Sequence, residues 1–295
     1  MNKKALSALA ATALALGLGT QSGCAYMTKA AFDSEVAAAV EKKIDSREAQ
    51  INQSLESIMS SIYCIKNEAQ YQRAGATEEP YSTLLEGGGT GFAFAYHDGH
   101  TYLVTSAHVV KNDTMRISTV PVGEEGDFDV HIYSLISEKS AIVDDRFDSD
   151  ASDDISLELV AVDEDNDVAL LRTAKKLPVS SAYMIDQDII PSVGEDVFIT
   201  GVPRGIVSVP SKGTFAKPQH TFSDGDSLDI MDIDATAGNS GSPYFVRKGN
   251  TLYWAGLTGQ LLPEENGSEL FALGNPLKSF YHLINDYIPM DKEER

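Results

Sequence analysis

Two cysteines in 295 residues leave almost no room for covalent stapling. They are Cys24 and Cys64, so no disulfide can hold the chain beyond residue 64, and a packed core must do that work. Basic side chains are scarce: 23 Lys and Arg stand against 44 Asp and Glu, a net charge of −21. A surface of that sign repels nucleic-acid phosphates, which excludes nucleic acid as a partner, and it suits cationic polypeptides. No uncharged run reaches the roughly 20 apolar residues of a bilayer-spanning helix. The candidate stretch, Ala5 to Gly19, is only 15 residues, many of them alanine. No internal repeat is present. Disorder is excluded by the 42% of hydrophobic residues, enough for a substantial core.

What is present begins with a leader. Lys3 and Lys4 precede the uncharged stretch, and small residues follow up to Cys24, the pattern of an export signal over residues 1–24. Its loss with both lysines would take the net charge to −23. Ser22-Gly23-Cys24 resembles the end of a bacterial lipobox, in which Cys24 is lipidated, becomes the new N-terminus and anchors the protein to a membrane. Gln21 departs from that pattern, which has an aliphatic residue there. Cleavage after Ala25 is the rival reading. Either way the expected location is the periplasm or cell envelope.

Residues 25–75 form the next region. Between Thr28 and about Ile62 there is no Pro or Gly, and Phe32, Val36, Val40, Ile44, Ile51, Leu55, Ile58 and Ile62 keep helical spacing. Glu48 interrupts the heptad-like part. Two readings stand: a helix packed on its own domain, and a stalk that forms a homo-oligomer. Gly75 to Gly89, with Gly87-Gly88-Gly89 at its end, reads as a linker.

Residues 76–295 have the texture of a mostly β domain. Phe92–Tyr96 and Thr101–Thr105 flank Asp98-Gly99, a hairpin signal. Further strand-like runs are 155–162, 168–171, 197–200, 244–247 and 252–257, and 276–288 reads as a closing amphipathic helix. Many short strands at close spacing predict an antiparallel barrel or sandwich. Between Pro121 and Asp167 lie 16 acidic residues against Lys139 and Arg146 alone. The stretch starting at Asp148 lacks the glycine and the final glutamate of a calcium loop, so a solvated acidic insertion at 121–166 is expected, with no metal and no cofactor.

Three short motifs carry chemistry. In "TYLVTSAHVV" His108 ends an apolar strand among small neighbours, the place for a rigid and accessible imidazole. In "DNDVALLR" Asp167 leads a run apolar enough to be buried. In "ATAGNSGSPYF" Ser240 sits in a glycine-rich turn. A serine hydroxyl needs an adjacent base and an acid to orient that base before it becomes a nucleophile. The order His, Asp, Ser is the chymotrypsin order and not that of subtilisin or the α/β-hydrolases.

On these motifs, with "VGEDVFITGVPRG" and "AGLTGQ" in register, residues 85–288 resemble the trypsin-like serine endopeptidases of the bacterial HtrA (Deg) branch. The resemblance implies a chymotrypsin-like double antiparallel β-barrel with a C-terminal helix, preceded by the N-terminal helical segment. It also implies catalytic roles for His108, Asp167 and Ser240. Backbone N–H groups of Gly238 and Ser240 would form the oxyanion hole, with Asn239 shaping the turn between them. Asp234, six residues before Ser240, together with Thr258 and Gly259, would line the substrate pocket and meet protein or peptide substrates.

Several departures matter. Asn239 replaces the aspartate with which trypsins bind a freed N-terminus. Ser242 stands where a second glycine is common. The 59 residues from His108 to Asp167 are long for the branch. No PDZ module is expected after residue 288. The main expectation is therefore an active envelope endopeptidase, and the alternative is a catalytically silent protease-fold lipoprotein that binds or scaffolds.

Overall fold

The computed structural model describes residues 29–73, 82–112, 115–122, 127–143, 155–205, 207–223, 225, 227–263 and 269–289. The leader, Cys24 and most of the stretch starting at Asp148 lie outside them. By its internal contacts the chain divides between Gln53 and Ser54. In the first unit the described residues, 29–53, are helical throughout and belong to α1 (Lys29–Met59).

The second unit opens with the last turn of that helix, where Leu55 and Ile58 are buried. The expected helix runs on to Ile62, but the observed one stops at Met59, and β1 (Ile62–Arg73) begins instead. Ile65, Asn67 and Ala69 are buried while Lys66, Glu68 and Gln70 are not, an alternation of period two that only a strand can use. Charged residues on its outer face pair across strands. Glu68 lies opposite Lys139 in register, at 2.6 Å, and 2.9 Å from Lys66. Hydrogen bonding to Lys139 and then to Lys66 holds the Glu68 carboxyl below its usual range.

The expected linker over 75–89 is a second correction. Residues 74–81 lie outside the description, but β2 (Ser82–His97) pairs with β1 from Ser82 onward. Its glycines permit close approach. A Cβ at Gly89 would sit 2.5 Å from Val109 Cγ2 and 2.7 Å from the Ser240 carbonyl oxygen, and one at Gly91 would sit 2.6 Å from Ile65 Cδ1. The predicted hairpin is present: β2 turns through Asp98 (φ 47°) and Gly99 (φ 79°) into β3 (His100–Ser106).

The region 121–166 gives a third correction. It is not simply a solvated insertion, because it supplies β5 (Asp127–Val143) and β6 (Ile155–Asp163), alongside β4 (Met115–Val122). With β7 (Val168–Thr173) the first barrel closes in the order β1-β2-β3-β7-β6-β5 and back to β1, and β4 is added outside on β5. Its core holds Tyr63, Ile65, Leu103, Val109, Ile142 and Leu171.

The second barrel uses β9 (Asp196–Gly201), β10 (Val209–Thr221), β11 (Ser227–Asp232), β12 (Pro243–Lys248), β13 (Thr251–Pro263) and β14 (Glu269–Pro276). It closes in the order β12-β9-β10-β11-β14-β13 and back to β12, while β8 (Met184–Ile185) runs parallel to β13. Phe215, Tyr244 and Val246 are in its core. The barrels meet through aromatic side chains: Phe92 of the first stands edge-on to Phe245 and Trp254 of the second, with ring centroids 6.0 and 5.2 Å apart. The closing helix is present as α3 (Leu277–Asn285), and its Phe280 lies against Trp254 at 6.0 Å. α2 is a single turn, Ala107–Val110.

Candidate active site at the seam of the barrels

His108 owes its exposure to the turn that carries it. Ala107, Val109 and Val110 of α2 are buried in the first barrel, and His108 alone points outward, its side chain 49% exposed. Asp167 closes the turn between β6 and β7 in a left-handed conformation, φ 49°, which aspartate tolerates better than most residues. That turn is braced by Asp163, whose carboxylate accepts from the Asn166 backbone N–H at 3.1 Å and from Asn166 Nδ2 at 2.8 Å.

From this position Asp167 holds α2 at three points. Its carbonyl oxygen accepts from Ala107 N–H at 3.0 Å, Oδ1 accepts from His108 N–H at 2.9 Å, and Oδ2 pairs with His108 Nδ1 at 2.7 Å. A carboxylate only accepts, so Nδ1 carries a proton, and the neutral ring in this pairing has its lone pair on Nε2. Lys111, one residue past α2, makes an ion pair with Glu164 at the other end of the Asp167 turn.

Ser240 lies in the loop between β11 and β12. Gly238 and Gly241 have φ of 96° and 83°, values that glycine adopts freely. Each carbonyl from 237 to 240 is committed. Ala237 accepts from Arg204 N–H at 2.8 Å and Gly238 from the Thr90 hydroxyl at 2.7 Å. Asn239 accepts from Ser242 N–H at 2.9 Å and from the Thr258 hydroxyl at 2.7 Å, and Ser240 from Thr90 N–H at 2.8 Å. The N–H groups of Asn239, Gly241 and Ser242 donate to Thr236, Thr258 and Asn239. Among the backbone bonds of the described residues, Gly238 and Ser240 have N–H groups that donate to no carbonyl. These two N–H groups are the ones that the sequence assigned to an oxyanion hole, and they are free to donate to a ligand oxygen.

Asp167 and the Ser240 loop share a ledge on β13. Thr258 carbonyl oxygen accepts from Gly241 N–H at 2.7 Å and from the Ser106 hydroxyl at 3.2 Å. A Cβ at the next residue, Gly259, would lie 3.1 Å from Asp167 Oδ2. Residues 108, 167 and 240 thus converge on one seam, with His108 and Asp167 on the first barrel and Ser240 on the second.

A family model described as a trypsin-like peptidase domain matches residues 89–252, just over half of the chain. The chain belongs to the trypsin-like peptidase family. The chain is also similar to the Magnetosome formation protease MamE of Paramagnetospirillum magneticum (strain ATCC 700264 / AMB-1), with 28% identity over 141 residues. That match covers 46% of this chain and 19% of the relative, so the chain spans about a fifth of the length of the curated relative it matches.

Of the remaining residues of this trypsin-like peptidase, Asp234 is exposed on the loop before Ser240. Thr258 is buried, with its hydroxyl turned to the Ser240 loop. Asn239 Oδ1 and Ser242 Oγ are buried without hydrogen-bond partners, and a Cβ at Gly201 would press on both. No group of metal-binding side chains occurs among the described residues. Sequence reasoning missed Thr90 and Asp163 as organisers of the site, and it gave Thr258 a place in the substrate pocket without its hold on the Ser240 loop. The glycines around Thr90 were a usable signal, because a "GGTG" run inside a strand marks close backbone approach.

Proposed function

We propose that this trypsin-like peptidase is an active serine endopeptidase of the cell envelope that cleaves proteins through an acyl-enzyme. The observation that carries the reading is the pairing of a doubly held His108–Asp167 couple with a serine loop whose carbonyls are all committed. His108 Nε2 takes the Ser240 hydroxyl proton as Oγ attacks the scissile carbonyl carbon. Nδ1–H keeps its bond to Asp167, whose charge stabilises the imidazolium. The carbonyl oxygen becomes an oxyanion and accepts from the Gly238 and Ser240 N–H groups, which supply on the order of 3–4 kcal/mol per donor. Collapse breaks the C–N bond, and His108 passes its proton to the leaving amine. Water then attacks the acyl-enzyme, losing its proton to His108, and the acid product leaves with the Ser240 hydroxyl restored.

The substrate class is polypeptide. A chain bound across Ser240 would run beside Thr258–Gly259, and Asp234 would meet a cationic side chain. The leader pattern and Cys24 support export with a lipid anchor, and no helix among the described residues is long and apolar enough to cross a membrane. The helix preceding the barrels offers a route to homo-oligomers.

A fluorophosphonate, which phosphonylates activated serines only, tests the reading on residues 26–295 and on the Ser240→Ala form. Intact mass should show one adduct on the first and none on the second. If the folded protein stays unlabelled even with unfolded casein present, the catalytic reading fails and the binding or scaffold alternative takes its place.

A further inference from the structure

The geometry points to Thr90 as a positioning residue that sets the oxyanion cradle from across the seam, an inference that rests on the catalytic reading above. Thr90 lies on β2 of the first barrel and is fully buried. Its hydroxyl accepts from Val202 N–H at 2.9 Å and donates to the Gly238 carbonyl at 2.7 Å. Its own N–H donates to the Ser240 carbonyl at 2.8 Å, and its carbonyl accepts from the Thr105 hydroxyl at 2.8 Å. One residue of the first barrel therefore holds two carbonyls of the nucleophile loop and the start of the 202–205 turn.

The consequence follows from peptide planarity. In a trans peptide the C=O and N–H point opposite ways, so fixing a carbonyl fixes the following N–H. Thr90 fixes the 238–239 and 240–241 peptides, whose N–H groups go to Thr236 and Thr258. The turn it steadies at Val202 presents Arg204 N–H, at 2.8 Å, to the Ala237 carbonyl, and that bond turns the Gly238 N–H the other way, into the cradle. Arg204 holds its place with a left-handed φ of 54°. Such a conformation persists only where surrounding bonds over-determine it, and the Thr90–Val202 bond is one of them.

The hydroxyl is the part that matters. Valine at 90 keeps the volume and the main-chain bonds, but it cannot bridge Val202 to Gly238. Serine keeps the bridge. Neither change touches His108 or Asp167.

Thr90→Val, Thr90→Ser and the unaltered full chain would be compared well below their melting temperatures in two ways. The first is the rate constant and endpoint of fluorophosphonate labelling across pH. The second is amide exchange of residues 236–242. Thr90→Val should label at least tenfold more slowly, yet to the same endpoint and with an unshifted pH midpoint, while residues 236–242 exchange at least tenfold faster. Thr90→Ser should stay within about threefold of the unaltered chain in both, since a cradle donor that is lost outright costs about 10²–10³. Thr90→Val labelling at the unaltered rate overturns the inference. So does a slowed variant whose endpoint falls in step, because that reports unfolding. The exchange measurement is independent of chemistry. Protection lost in Thr90→Val while the unaltered chain takes no label would keep the clamp and reject the protease reading, whereas unchanged protection would reject the clamp.

Discussion

Inside the second barrel the Tyr244 hydroxyl donates to Asp229 Oδ2 at 2.8 Å, and the Gln219 backbone N–H donates to Oδ1 at 2.7 Å. Asp229 is 1% exposed, and burial raises its carboxyl pKa above the ordinary 3.8 despite these two bonds. Burial likewise pushes the Tyr244 hydroxyl up. A raised carboxyl pKa means that the folded state holds the proton more tightly than the unfolded chain. This contribution to stability is complete below pH 3.8 and is lost as pH rises through the raised value. Asp229→Asn keeps an acceptor for Gln219 but does not ionise. Its stability relative to wild type should therefore grow between about pH 4 and neutrality, as measured by urea unfolding at several pH values. A flat difference would mean that the buried carboxyl titrates normally.

Asp167→Asn separates orientation from folding. The amide oxygen can still accept from His108 N–H, so the fold should survive with a near-unaltered melting temperature. The Oδ2 acceptor becomes an amide donor that cannot pair with Nδ1–H, and the imidazole loses its tautomer. Labelling by a fluorophosphonate should fall on the order of 10³–10⁴-fold. A loss below tenfold would remove Asp167 from the triad.

Gly238→Ala tests the cradle. An added Cβ would sit 2.6 Å from both Arg204 N and the Val202 carbonyl oxygen, and φ is 96°, so the loop must move. Labelling should drop by about 10² or more. Stability should fall by roughly 1–3 kcal/mol in chemical denaturation, the cost of a strained conformation.

Ser242→Ala should go the other way. The hydroxyl is fully buried with no hydrogen-bond partner, and replacing it removes an unpaired polar group. Stability should rise by about 1 kcal/mol while the labelling rate is unchanged. Destabilisation would reveal an internal water that the hydroxyl holds.

A chain starting at Ser54 should fold and label like the longer one. Leu55 and Ile58 stay with it, and Ser57 Oγ keeps its 2.9 Å contact with Ser180 Oγ. Sedimentation of both forms reads the oligomer question in the same experiment: a mass that drops to monomer on truncation assigns association to the helix, and equal monomer masses remove the stalk reading.

The sequence alone determined the class of the protein. Hydrophobic alternation is local, so the β2–β3 hairpin, β6, β7, β9, β12 and α3 were legible from their own residues, and three motifs in the order His108, Asp167, Ser240 named the family and the fold. Tertiary structure decided the rest. β1 follows directly on a helix-like stretch and carries charged residues, and it becomes a strand because β2 and β5 supply partners on both sides. The glycines before Thr90 read as a linker until β2 is found paired with β1 and the Ser240 loop pressed against Gly89. Thr90 is an ordinary threonine in sequence, and Thr258 stood out there only as part of a substrate pocket. Their importance comes from hydrogen bonds that span 148 and 19 residues of chain to reach Gly238 and Asn239, the first made where the two barrels meet and the second where β13 pairs with β12.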